Sequence, residues 1–183
     1  MKVKVTLTIS LGILLLYSCA IHIVNGTEYD LLKPENQARI KELKSFETLH
    51  RDSIYELTAT QLKADLRKQP KSIIYIFKSS CQSNYCVPLR YITEYAQKQG
   101  MKPYLILVNY YQLERSLDQN PTVPLFAINA AHYQESKSRK YLKRFEHEIG
   151  YTAFCEKHQA EGNLLFFEGD SLVEVRHGLN EAK

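Results

Sequence analysis

Tryptophan is absent from this 183-residue sequence, and glycine, at seven residues, is scarce. The glycines are scattered, so no glycine-rich loop is available to cradle a phosphate, and nucleotide chemistry of that kind is excluded. No serine sits in a nucleophile-elbow motif, and no cysteine–histidine spacing suggests a cysteine protease. An excess of one charge is also missing. The 24 Lys and Arg are interspersed with 20 Asp and Glu for a net charge of +4, which leaves no basic stripe for nucleic acid. The apolar run at residues 5–17 falls short of the roughly 20 residues that a membrane-spanning helix needs. Internal repeats and low-complexity tracts are lacking too.

What is present is organised around residues 72–89. Ile73, Ile74, Tyr75, Ile76 and Phe77 form an unbroken β-branched and aromatic run between polar Ser72 and Lys78. Such a run predicts a strand buried on both faces, as in a parallel sheet. Two cysteines come next, Cys81 and Cys86, and then Leu89, Ile92, Tyr95 and Ala96 fall on one face at helical spacing, with Pro88 tolerable in the first turn. The thiols therefore sit where a central strand gives way to a helix, a junction at which a helix N-terminus lowers a thiol pKa.

The N-terminus reads as a targeting segment. Lys2 and Lys4 precede the apolar run, and Leu16-Tyr17-Ser18-Cys19 resembles the end of a bacterial lipoprotein signal, which makes Cys19 the acylated residue. The alternative is an ordinary signal cut near Asn25-Gly26, with Cys19 discarded. The expected organisation is a lipoprotein signal peptide at 1–18, a tether at 19–33, and one domain at 34–183 that includes an N-terminal helix. The expected location is the bacterial cell envelope, with the chain held at a membrane by the lipid and facing the periplasm or exterior. Disulfides persist in such a compartment. With Cys19 committed to lipid, Cys81, Cys86 and Cys155 remain, enough for one internal bridge.

Along the domain, Ile40, Leu43, Phe46 and Leu49 recur every three residues and predict an amphipathic helix over 34–50. Residues 53–57 alternate and predict an edge strand, and Thr58 or Thr60 can cap a helix carrying Leu62 and Leu66. Residues 104–109 predict a second buried strand, residues 112–119 a short helix, and residues 125–128 a third short strand. Tyr141, Leu142, Phe145 and Ile149 share a face of a helix made basic by Lys137, Arg139, Lys140, Lys143 and Arg144, with Glu146 and Glu148 following. Its charged side reads as a solvated face, the alternative being an anion site. Two β-rich runs, 163–167 and 172–176, flank Gly169-Asp170 and predict a hairpin.

This order of elements, with Ile74-Tyr75-Ile76-Phe77-Lys78-Ser79-Ser80-Cys81 and Leu164-Leu165-Phe166-Phe167-Glu168-Gly169-Asp170 as its most characteristic parts, resembles the thioredoxin-like superfamily over residues 54–178. The likeness is to its extracytoplasmic, membrane-anchored thiol–disulfide proteins. It implies an α/β fold, with a mixed central sheet flanked by helices and an extra strand–helix unit before a C-terminal β-hairpin. It also implies thiol–disulfide oxidoreductase activity on exported proteins. The departures are specific. The family usually carries Trp-Cys-x-x-Cys, whereas this sequence has no Trp and spaces its thiols as Cys81-x-x-x-x-Cys86. The family's cis-proline position, just before the first hairpin strand, falls near Gly162-Asn163.

Dithiol exchange needs an exposed nucleophile, here Cys81, and a second thiol that resolves the mixed disulfide, here Cys86. Were Cys81 the start of the helix, Cys86 would lie about 500° further round, on nearly the opposite face, so the spacing favours a loop before the helix. Three readings stay open for the pair: a redox centre, a structural bridge that never turns over, and unpaired thiols. A non-catalytic scaffold that keeps the fold is the corresponding alternative function. Cys155 lies among aromatics and reads as a buried free thiol. Cys81, Cys86, Cys155 and His158 lack zinc-ligand spacing, and no cofactor is implied. Tyr75, Tyr85, Tyr91, Tyr95, Tyr104, Tyr110 and Tyr111 gather near the thiols, either as a recognition rim or as half-buried residues with wet hydroxyls. The expected partners are thiols or disulfides of exported proteins and the membrane, reached by a monomer.

The anchor is directly testable. Expressed in a bacterium, the wild-type chain is expected to sediment with membranes and to take up radiolabelled palmitate, and Cys19→Ala to do neither. A wild-type chain that stays unlabelled and fractionates as soluble contradicts the lipoprotein reading.

Overall fold

Seven strands form one mixed sheet in the computed structural model of the chain, which describes residues 26–83 and 86–179. The signal-like segment, Cys19, Tyr85 and the first part of the tether lie outside the described residues. From one edge to the other the strands are β1 (Ile40–Glu42), β2 (Ile54–Leu57), β5 (Leu125–Ile128), β4 (Lys102–Leu107), β3 (Lys71–Phe77), β6 (Leu164–Glu168) and β7 (Ser171–Arg176). The first five of this row are mutually parallel. Then β6 pairs antiparallel with β3, and β7 antiparallel with β6. The chain is thus α/β, in an arrangement consistent with a thioredoxin-like α/β fold.

Both faces of the sheet are covered, which is why its inner strands read as continuous apolar runs rather than alternating ones. Successive strand residues point to opposite sides. Ile74, Ile76, Tyr104, Ile106, Phe126 and Leu165 face one core, closed by Leu62 and Leu66 of α2 (Ala59–Leu66) and by Tyr141, Phe145 and Ile149 beside α5 (Ser138–Glu148). Ile73, Tyr75, Phe77, Leu105, Leu107 and Phe166 face the other, closed by Leu89, Ile92 and Ala96 of α3 (Leu89–Lys98). Thr58 caps α2 in a reciprocal capping box with Gln61. Asp65 of α2, buried at 4% exposure, accepts hydrogen bonds from Tyr104 Oη at 2.5 Å and Lys102 Nζ at 2.6 Å, which ties that helix to β4. The extra unit consists of β5, α5 and α6 (Tyr151–His158), inserted before the β6–β7 hairpin.

The N-terminal region departs from the sequence expectation. Instead of a helix over 34–50, a four-residue α1 (Pro34–Gln37) leads into β1. A repeat of three drifts by about 60° per step around a helix, so Ile40 and Leu49 would have ended on opposite sides. Parallel pairing of Ile40 with Ile54 and Lys41 with Tyr55 supersedes that weak period. It also moves β2 from the edge to an interior place in the sheet. The end of the tether is packed on the fold. Tyr110 donates its N–H to Thr27 O at 2.8 Å, and the Tyr29 and Tyr110 rings meet edge-on at 6.1 Å. Among the described residues, no helix is long and apolar enough to cross a membrane.

Candidate functional site

The chain leaves β3 at Phe77 and enters a loop before α3 begins at Leu89. Cys81 and Cys86 are joined within that loop by a disulfide, with Cα atoms 5.8 Å apart, inside the usual range. Cys81 is exposed and Cys86 half-buried. The loop is anchored at several points. Cys81 N donates to Lys78 O at 3.0 Å and Cys86 N to Ser83 O at 3.0 Å, each closing a tight turn. Ser79, buried, accepts from Ser116 Oγ at 2.7 Å, on α4 (Glu114–Leu117). The Gln82 carboxamide, in the orientation that satisfies its neighbours, accepts from Arg115 of the same helix at 2.6 Å. Val87 N donates to Tyr75 Oη at 3.0 Å and Leu89 N to Gln119 Oε1 at 2.8 Å.

These last two bonds matter for electrostatics. Of the amides at and just before the start of α3, the groups expected to favour a thiolate, those of Val87 and Leu89 are already satisfied by neutral acceptors. Among the described residues, the Ser83 hydroxyl touches both sulfurs, 3.7 Å from Cys81 Sγ and 3.4 Å from Cys86 Sγ. The sequence carried no signal for it beyond its place between the two cysteines.

A cavity lies on each side of the disulfide. One, of about 320 Å³, is walled by Ile76, Val108, Leu142 and Leu165, and Cys81, Lys78, Glu146 and Tyr151 also line it. The other, of about 330 Å³, lies toward Tyr75, Cys86, Val87 and Gln119. Glu146 lies one helical turn beyond Leu142, so the period of α5 carries it to the margin of the apolar face rather than into solvent. It is half-buried, and no hydrogen bond or ion pair reaches its carboxyl among the described residues. Burial pushes that carboxyl up to about 7. Tyr151 donates its hydroxyl to Gly162 O at 3.0 Å and is itself pushed up to about 12, chiefly by burial. Gly162 leaves no room for a side chain, because a Cβ there would meet Arg176 O at 2.1 Å.

No protein family, curated protein or solved structure matches this chain. Its function is therefore carried by the chemistry of the site alone. Of the residues singled out in the sequence, Cys81 and Cys86 are brought together, whereas Cys155, on α6, remains a free and half-buried thiol raised by burial and by the Glu146 charge. Among the described residues no group of three or more His, Cys, Asp or Glu is placed to hold a metal ion. Several of the tyrosines near the thiols are structural. Tyr75, Tyr104 and Tyr110 are buried, and their hydroxyls meet Val87 N, Asp65 and Glu56 respectively, whereas Tyr91 is exposed.

Glu146 yields a pH prediction. Its pKa is higher folded than unfolded, so the folded chain binds the extra proton, and stability falls as pH rises from about 4.5 through about 7. Glu146→Gln removes that loss. It is expected to match wild type in urea midpoint at pH 4.5 and to exceed it at pH 8 by on the order of 1–2 kcal/mol, allowing for partial solvent exposure. A difference that stays the same at both pH values contradicts the assignment.

Proposed function

We propose that this chain is a membrane-anchored, thioredoxin-like thiol–disulfide oxidoreductase acting on exported proteins. The observation that carries the reading is the Cys81–Cys86 disulfide itself. It bridges one exposed and one half-buried cysteine, in a loop at the carboxyl end of β3, an interior strand of an α/β sheet. Open α/β sheets place ligands beyond the carboxyl ends of their strands. The apolar-walled cavity beside Cys81 gives a client side chain somewhere to sit while the sulfurs react. The membrane anchor rests on Leu16-Tyr17-Ser18-Cys19.

In the oxidising direction a client thiolate attacks Cys81 Sγ, and the Cys81–Cys86 bond breaks. Cys86 leaves as a thiolate and takes up a proton. A second client thiolate then attacks the client sulfur of the mixed disulfide and releases Cys81. The client loses two electrons and two protons, and the cysteine pair gains them. The same steps in reverse reduce a client disulfide. Cys81 is the accessible target and Cys86 the shielded leaving group. The carboxyl of Glu146 lines the same cavity as Cys81 and, with its raised pKa, exchanges protons near neutral pH.

A second reading, a scaffold whose disulfide only pins the loop, is favoured by two observations. The Val87 and Leu89 amides at the entry to α3 are already occupied, and no cis peptide bond occurs among the described residues. Insulin reduction by dithiothreitol separates the two. The wild-type domain is expected to accelerate it, and Cys81→Ser to return the rate to that of dithiothreitol alone. Equal rates with wild type, with Cys81→Ser and with no protein leave only the scaffold.

A further inference from the structure

A five-residue separation between the cysteines leaves room inside the loop for a side chain that faces both sulfurs, and Ser83 occupies that room. Its hydroxyl is 3.4 Å from Cys86 Sγ and 3.7 Å from Cys81 Sγ, both within the reach of a hydrogen bond to sulfur. The bond from Cys86 N to Ser83 O holds this placement, since the turn that brings Cys86 back also carries Ser83 against it. A disulfide sulfur is a poor acceptor, so the contact contributes little while the bridge is closed. A thiolate is a strong one, because hydrogen bonds to ionised groups are roughly twice as strong as neutral ones. The usual source of such donors at this position is the helix start. Here Val87 N is held by Tyr75 and Leu89 N by Gln119.

We propose that Ser83 is a catalytic residue of the exchange reaction, its hydroxyl donating a hydrogen bond to the sulfur that carries negative charge when the Cys81–Cys86 disulfide opens. The inference deepens the oxidoreductase reading and rests on it. When an external thiolate attacks Cys81 Sγ, a new S–S bond forms there and the old one breaks. The electron pair stays on Cys86 Sγ, the sulfur nearer to Ser83 Oγ. The hydroxyl keeps its proton and only turns its O–H toward the departing charge. In the second step a client thiolate attacks the client sulfur of the mixed disulfide, Cys81 Sγ departs with the electron pair, and the same hydroxyl is within reach of it. One side chain thereby serves both sulfurs that leave during the oxidising exchange.

The test uses the full-length protein with reduced glutathione as the attacking thiol, comparing wild type with Ser83→Ala and Ser83→Thr. Disulfide opening is expected to be about tenfold slower in Ser83→Ala, the loss of a hydrogen bond to a charged group, with Ser83→Thr close to wild type. After complete reduction, iodoacetamide alkylation tracked at each cysteine across pH is expected to show the Cys86 midpoint raised by about one unit in Ser83→Ala. Equal rates and midpoints in wild type and Ser83→Ala overturn the proposal. A slower Ser83→Ala with an unchanged midpoint also overturns it, since that pattern marks a loop that is merely misplaced. A Ser83→Thr that behaves as Ser83→Ala overturns it as well, because the hydroxyl is then not the group at work. The alkylation midpoints remain readable even if the wild-type domain proves inert toward insulin, so failure of the oxidoreductase reading and failure of the Ser83 role are separate results.

Discussion

β3 carries ladder hydrogen bonds along both edges and apolar side chains on both faces. On one edge it meets the parallel strand β4, and on the other the antiparallel β6, so it joins the two halves of the sheet. From Ser72 to Phe77 every residue is buried. Each large apolar side chain so placed contributes roughly 1.5–3 kcal/mol relative to exposure, and the conformational cost of ordering the chain opposes it. Both cores draw on this strand, as they do on its neighbours β4 and β6. The end of β3 is consequently a firmly placed point from which a loop departs. Val108 N donating to Phe77 O at 2.9 Å extends that firmness to the last residue before the loop.

Beyond β3 the chain runs through a loop held by side chains rather than by regular structure. Ser79 is bound by Ser116, Gln82 by Arg115, and Val87 and Leu89 by Tyr75 and Gln119. Helix α3 is therefore positioned with the amides of Val87 and Leu89 already engaged. This division of labour separates the site from a simple strand-to-helix junction. The sheet fixes where Cys81 emerges, and polar contacts with the α4 region fix where the polypeptide turns back. The sulfurs are left with a hydroxyl from within the loop and a carboxyl from α5 across the cavity. A site on rigid supports with a few polar groups of its own is the arrangement that reversible chemistry requires.

Much of the fold was legible because burial on two faces leaves a simple trace. The runs at 73–77, 104–107 and 125–128 contain little but apolar residues, and each is an interior strand. The hairpin announced itself through Gly169 at positive φ between two β-rich runs. Three-residue spacing in 34–50 misled because hydrogen bonds between distant segments decided β1, and no local pattern records those. Pairing of Cys81 with Cys86 could be anticipated from their separation. Glu146 could not be picked out from a basic helix, although its place one turn after Leu142 was a usable clue. Ser83 was invisible for a different reason: its significance depends on two distances, and a sequence carries none.

The central claim is that the Cys81–Cys86 disulfide exchanges electrons rather than merely pinning a loop. Equilibration in glutathione redox buffers, with the two states trapped by acid and counted by mass, measures this most directly. Structural disulfides of exported proteins have potentials below about −300 mV, while exchanging ones lie higher. The account predicts a reversible transition above that value, reached from both the oxidised and the reduced side. A disulfide that stays closed across the whole glutathione range would contradict it.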